Sequence, residues 1–124
     1  MRLRRSRLEK FFHRTAVPKK DREGNSYVEY GPPAPFEAES WPAGGKIQAA
    51  MYGVRLPNIR NCRLQEGYEE IRTESGKVVY RTENGLEITA GDGICLYSGE
   101  EGEPDYVIAA IYPYRFLTLE VERI

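Results

Sequence analysis

The stretch YVIAAIYPYRFLTLEVERI, residues 106–124, decides the fold class. In it Leu117, Leu119 and Val121 alternate with Thr118, Glu120 and Glu122. A period of two with one apolar and one polar face is the mark of a half-buried strand. The run from Tyr106 to Tyr112 is apolar on both faces and reads as a central strand. Pro113 between them belongs to a turn or bulge, because proline has no N–H to give an interior ladder.

Working upstream, Ile94 to Tyr97 reads as another buried strand, launched from a turn at Gly91-Asp92-Gly93. Leu86 to Thr89 alternates and leads into that turn. Between Tyr68 and Thr89 lies a predicted meander. A two-residue turn at Ser75-Gly76 would set Glu74 opposite Lys77 and Glu70 opposite Arg81, two favourable cross-strand pairs. Asn84-Gly85 is the strongest short hairpin signal in the chain. With few apolar residues (Ile71, Val78, Val79, Tyr80), this hairpin is expected to project beyond the core or to form an ordinary edge.

The first half predicts strands from Phe11 to Val17, from Tyr27 to Tyr30 and from Phe36 to Trp41. Residues 46–56 fit two patterns: Ile47, Ala50, Met51 and Val54 suit a helix face, whereas Ile47, Ala49 and Met51 suit a strand. Gly53 and Pro57 argue against a long helix. Residues 2–10 have the length of a short helix that is marginal alone in water. The prediction is therefore all-β: a small single-domain barrel or sandwich over residues 11–124, with a flexible basic arm at 1–10 and long interstrand loops.

The formal net charge of −1 over 124 residues hides a polarity. Residues 1–23 carry nine Lys/Arg against three acids, and the remaining 101 carry nine against sixteen. A basic arm is joined to an acidic body. An arm of that kind can neutralise phosphates without reading sequence, and tyrosine-rich barrel strands can stack bases. The acidic body and the apolar setting of most tyrosines argue against direct nucleic-acid recognition.

Other classes are disfavoured by what the residues lack. No apolar run approaches the roughly 20 residues a membrane span needs, and no apolar stretch follows the basic start to make a signal peptide. A soluble chain made in the cytoplasm is predicted. Cys62 and Cys95 read as reduced and buried, and are too few for a zinc site. His13 is expected at the surface, which leaves no Ser-His-Asp or Cys-His set. Gly91-Asp92-Gly93 lacks the lysine and helix of a phosphate loop. Residues 100–105 (EEGEPD) lack the spacing of a calcium-binding loop and read as a solvated acidic loop. No enzyme, cofactor or metal is predicted.

Three stretches together carry a resemblance: SWPAGGKIQAAMYGVRL at 40–56, AGDGICLY at 90–97, and Pro104-Asp105-Tyr106 running into residues 111–122. Their order and spacing over residues 11–124 resemble the minor capsid or head–tail connector proteins of tailed phages and prophages, of the head-closure or stopper kind. The resemblance implies a small barrel that assembles as a ring beneath the portal and its adaptor, closes the channel on packaged DNA and offers a platform for the tail. It implies other connector proteins as partners, DNA nearby without sequence reading, and a place at the virion head–tail interface.

In such proteins a loop between early barrel strands plugs the channel. Here that loop falls at about Pro42 to Asn61, with Gly44, Gly45, Lys46, Met51, Tyr52 and Arg55 as candidates; the Tyr68–Arg81 hairpin is a second candidate. Arg2, Arg4, Arg5, Arg7 and Lys10 are the candidate docking residues of the arm. A tail-completion or adaptor protein of the same connector is the alternative within this class, and a small nucleic-acid-binding barrel the alternative outside it.

Overall fold

The computed structural model describes residues 7–124. The chain runs β1 (Glu9–Arg14), β2 (Ala16–Lys20), β3 (Ser26–Tyr30), β4 (Ala34–Pro42), α1 (Gly45–Tyr52), a 3-10 segment (Gly53–Asn58) and β5 (Ile59–Leu64). It continues through β6 (Tyr68–Arg72), β7 (Val78–Thr82), β8 (Glu87–Ile88), β9 (Gly93–Cys95), β10 (Tyr106–Pro113) and β11 (Leu117–Arg123). Strands β1, β4, β5, β11, β10 and β9 close, in that order, into an antiparallel barrel. The fold is all-β, as the alternation predicts, and of the barrel and the sandwich left open by the turn spacing it is the barrel. Closure removes the open edges a flat sheet would expose. Strands β2 and β3 form a separate ribbon, and β6, β7 and β8 a small third sheet.

Strand β11 behaves as its pattern requires. Leu117, Leu119 and Val121 are fully buried in the barrel core, each removal of such a side chain from water contributing about 1.5–3 kcal/mol. Strand β10 departs from its apparent all-apolar character. A bulge lies between Ile108 and Ala110 in its pairing with β11. Tyr106 and Ile108 point into the core before it, and Ile111 packs against the core after it. The extra residue shifts the phase, so Tyr112 turns to the outer surface.

The hairpins form one repeated device. Asp21, Thr73 and Thr82 each donate their backbone N–H to the carbonyl four residues on, at Asn25, Lys77 and Leu86. In each the fourth residue is glycine (Gly24, Gly76, Gly85) with φ of 85°. The first residue's side-chain oxygen takes the N–H of the fifth, at 2.8 Å from Asp21 and 3.2 Å from both threonines. These are three-residue loops, not two-residue turns. The register expected around Ser75-Gly76 is thereby corrected by one residue: Arg81 faces Glu69, with 3.7 Å between their charged groups, and Glu70 faces Tyr80. A one-residue slip moves every side chain to the other face. As a result Tyr80 joins Ile88 in the barrel's apolar core, while the tip at residues 72–77 is exposed throughout.

Three further expectations are corrected. The strand foreseen from Phe11 to Val17 breaks at Thr15, where the Asp92 carboxylate takes the Ala16 N–H at 3.0 Å. The strand foreseen to Tyr97 ends at Cys95, because Asp105 captures the N–H groups of Leu96 and Tyr97 at 2.8 and 2.9 Å. Tyr97 is accordingly exposed. His13, expected at the surface, is 2 % exposed, and its Nε2 lies 2.8 Å from Asp92 Oδ2. It shares the inward phase of Phe11 on β1. Asp92 also accepts the Thr89 N–H at 3.1 Å, so the Gly-Asp-Gly turn ties β1, the ribbon and β9 together. Gly93 is required there: a Cβ would meet Pro104 at 2.6 Å and Tyr30 at 2.9 Å. The two cysteines are free and buried, and burial pushes the Cys62 thiol up to about 12.

Candidate interaction surface

The β4–β5 connection resolves the two patterns of residues 46–56 in favour of a helix. Gly45, with φ of 83°, opens α1, and Gly53, with φ of 56°, ends it. The Gln48 side chain reaches back to accept the Gly44 N–H at 3.0 Å, so a residue inside the helix caps its start.

This helix seats itself by polar groups. It covers the outer face of β5 and β11, where Asn61 lies opposite Glu120 in the register. Glu120 is only 4 % exposed. Its Oε1 accepts from the Tyr52 hydroxyl at 2.7 Å and the Tyr112 hydroxyl at 2.9 Å. Its Oε2 accepts from Gln48 Nε2 at 2.6 Å, and the same nitrogen lies 2.7 Å from Asn61 Oδ1. A buried carboxylate is tolerated because each oxygen meets donors. Burial first, and the neighbouring Glu120 second, push both phenols above their ordinary value. Beyond the clasp, Arg55 donates from Nε and Nη2 to the two carboxylate oxygens of Glu122, and stacks 5.5 Å over the Tyr52 ring. Hydrogen bonding from Arg55 holds the Glu122 carboxyl below its ordinary value.

The apolar residues of this connection consequently face outward. Ile47 is 80 % exposed, Met51 53 % and Val54 97 %. A groove of about 400 Å³ runs beside them, bounded by Trp41, Met51 and Tyr114. Arg63 lies 4.7 Å over the Trp41 ring, and Tyr112 stacks on Tyr114 at 5.6 Å between centroids. Aromatic rings, a methionine and a stacked arginine are side chains that protein interfaces favour.

The channel-loop candidates divide in two. Gly44, Gly45, Lys46 and Met51 lie on the exposed side of the connection. Tyr52 and Arg55 are the anchors that hold it to the barrel, so a clasped helix occupies the middle of the Pro42–Asn61 connection. Among the arm residues, Arg2, Arg4 and Arg5 lie outside the described residues. Arg7 is exposed, with Nη1 3.4 Å from Glu39. Lys10 belongs to β1, opposite Glu37, and not to an arm. Gln48, Asn61, Tyr112 and Glu120 were not foreseen. The signal that could have found them is Ile59, an apolar residue out of phase with Cys62 and Leu64, which marks β5 as covered on both faces.

The His13–Asp92 pair offers no second site: at 2 % and 1 % exposure, neither residue has a face open to a reactant. Among the described residues no three His, Cys, Asp or Glu side chains gather as a metal would require, and no helix is long and apolar enough to cross a membrane. No known protein family, curated protein or solved structure matches the chain.

Proposed function

We propose that the chain is a structural protein of a tailed-phage or prophage head–tail connector, of the head-closure kind, with the exposed face of α1 as its docking surface. The sequence resemblance over residues 11–124 supports the class. The observation that carries the docking role is the inversion of α1: it buries Tyr52 and presents Ile47 and Met51, and the 3-10 segment that follows presents Val54 beside them. A helix held by hydrogen bonds with its apolar residues free has the form of a preorganised contact, which loses little conformational entropy on binding. A subunit of a ring needs such a face on one flank and a complementary one on its neighbour. In this reading the partners are copies of the chain and the adjacent connector proteins, and packaged DNA is the cargo held back.

The test is replacement of Ile47, Met51 and Val54 together by serine in a phage that encodes the chain. The variant should fold with native circular dichroism, because these side chains contribute little to the core. Heads should then package DNA and leak it. Filled heads that retain DNA yet lack tails would move the role to tail completion. Normal virions would overturn the assignment of this face.

A further inference from the structure

We propose that two copies of the chain pair through the free edge of the β2–β3 ribbon, β3 against β3 in antiparallel sense, to give a dimer in solution. The inference stands apart from the connector reading and rests on different residues. The ribbon belongs to neither the barrel nor the three-stranded sheet. Val28 is 51 % exposed and Tyr27 44 %. Two short strands alone are marginal in water, so a ribbon bearing exposed apolar residues gains most from a further strand.

The two edges of the ribbon differ. Hydrogen bonds from Gly31 to Thr15 and from Asp21 to Asn25 set the antiparallel alternation between them. By that alternation Ala16, Pro18 and Lys20 turn their main-chain groups outward on β2, and Ser26, Val28 and Tyr30 do so on β3. On the β2 edge Asp92 already holds the Ala16 N–H, and Pro18 has none to offer. Such an edge cannot extend a ladder. On the β3 edge the main-chain groups of Ser26, Val28 and Tyr30 have no protein partner among the described residues. Its base is fixed: Arg14 binds the Gly31 carbonyl at 3.1 Å, and the Tyr30 ring packs over Gly93.

The occupant that fits this edge is the same strand of a second copy. Antiparallel pairing centred on Val28 sets Val28 against itself and Ser26 against Tyr30, so every outward N–H and C=O finds a partner. It also sets Tyr27 opposite Glu29. Sliding the partner by two residues in one direction would bring Glu29 face to face with Glu29, and in the other would leave Tyr30 unpaired. Like charges directly opposite destabilise a ladder, so the Val28-centred register is the favoured one. The contact is isologous and closes at two copies.

The experiment uses the full chain. Sedimentation equilibrium should show a dimer, and Val28→Cys should be joined to itself by a short bis-maleimide, because Val28 lies on the twofold axis. Lys20→Cys, on the closed β2 edge, should not cross-link. Val28→Pro should yield a monomer with native circular dichroism, since the Val28 N–H points away from β2. Val28→Lys, which sets like charges on the axis, should do the same and serves if the proline variant fails to fold. A wild-type chain that is monomeric at roughly 100 µM, where even micromolar contacts are mostly formed, would overturn the proposal. So would equal cross-linking at position 20, or a dimer that survives Val28→Lys. The serine variant of Ile47, Met51 and Val54 should keep this dimer, which separates the two proposals.

Discussion

Strand β11 and helix α1 both carry apolar residues at the period of their own geometry, yet they use them in opposite ways. Strand β11 buries Leu117, Leu119 and Val121 completely, while α1 leaves Ile47 and Met51 in solvent, as the 3-10 segment after it leaves Val54, and buries Tyr52. The two elements meet at Glu120. On its strand, Leu119 points into the barrel and the next residue, Glu120, points out beneath the helix. Periodicity says which residues share a face; it does not say whether that face finds the core. For α1 the polar side chains found partners on the barrel wall, and the apolar ones were left over for another molecule.

The largest expected effect sharpens the inner side of this comparison. Leu119→Asp puts a charge into the sealed barrel, at a cost above about 4 kcal/mol, comparable with the whole stability of a small domain. Circular dichroism should show an unfolded chain; a native-like spectrum would mean the faces of β11 are reversed. One residue on, Glu120→Ala removes the acceptor shared by Tyr52, Tyr112 and Gln48. Leaving buried donors unpaired should cost about 2–4 kcal/mol in urea unfolding. Amide exchange in α1 should accelerate while the barrel strands stay protected. A loss below about 0.5 kcal/mol would show that the clasp does not hold the helix.

The smallest effect lies at the rim, where Arg55 meets Glu122. The folded carboxyl titrates below its ordinary value of 4.5. Its stabilising contribution is therefore present above that value and lost as pH falls through the lower folded one. Melting temperatures of wild type and Glu122→Gln should differ slightly at pH 7 and converge in strong acid, and a gap that persists there would assign the effect to packing instead.

How much of this was legible depends on whether a residue's environment is local. The β11 alternation, the glycine-marked hairpins and the buried cysteines could be read directly, because strand period and loop chemistry act within a few residues. The Ser75-Gly76 register was misread by one, since the threonine that precedes the loop captures a backbone N–H and lengthens the turn. His13 was misplaced because its partner, Asp92, lies 79 positions away. Of the site, Lys46, Met51, Tyr52 and Arg55 were named only together, as channel-loop candidates; which of them face solvent and which anchor the connection was not read from the sequence. The clasp itself was invisible, since Glu120 looks like any solvent-facing acid until a helix from a distant segment settles over it.

By itself the sequence determined an all-β chain whose C-terminal strand turns Leu117, Leu119 and Val121 to one side, because those features follow from side-chain period and turn stereochemistry. Only the tertiary structure decided that six of the strands close into a barrel, that the bulge after Ile108 sends Tyr112 to the outside, and that α1 sits with its apolar residues outward. Each of those outcomes depends on contacts between segments far apart in the chain; the face of α1 that meets the barrel is the one whose donors reach the buried Glu120 carboxylate.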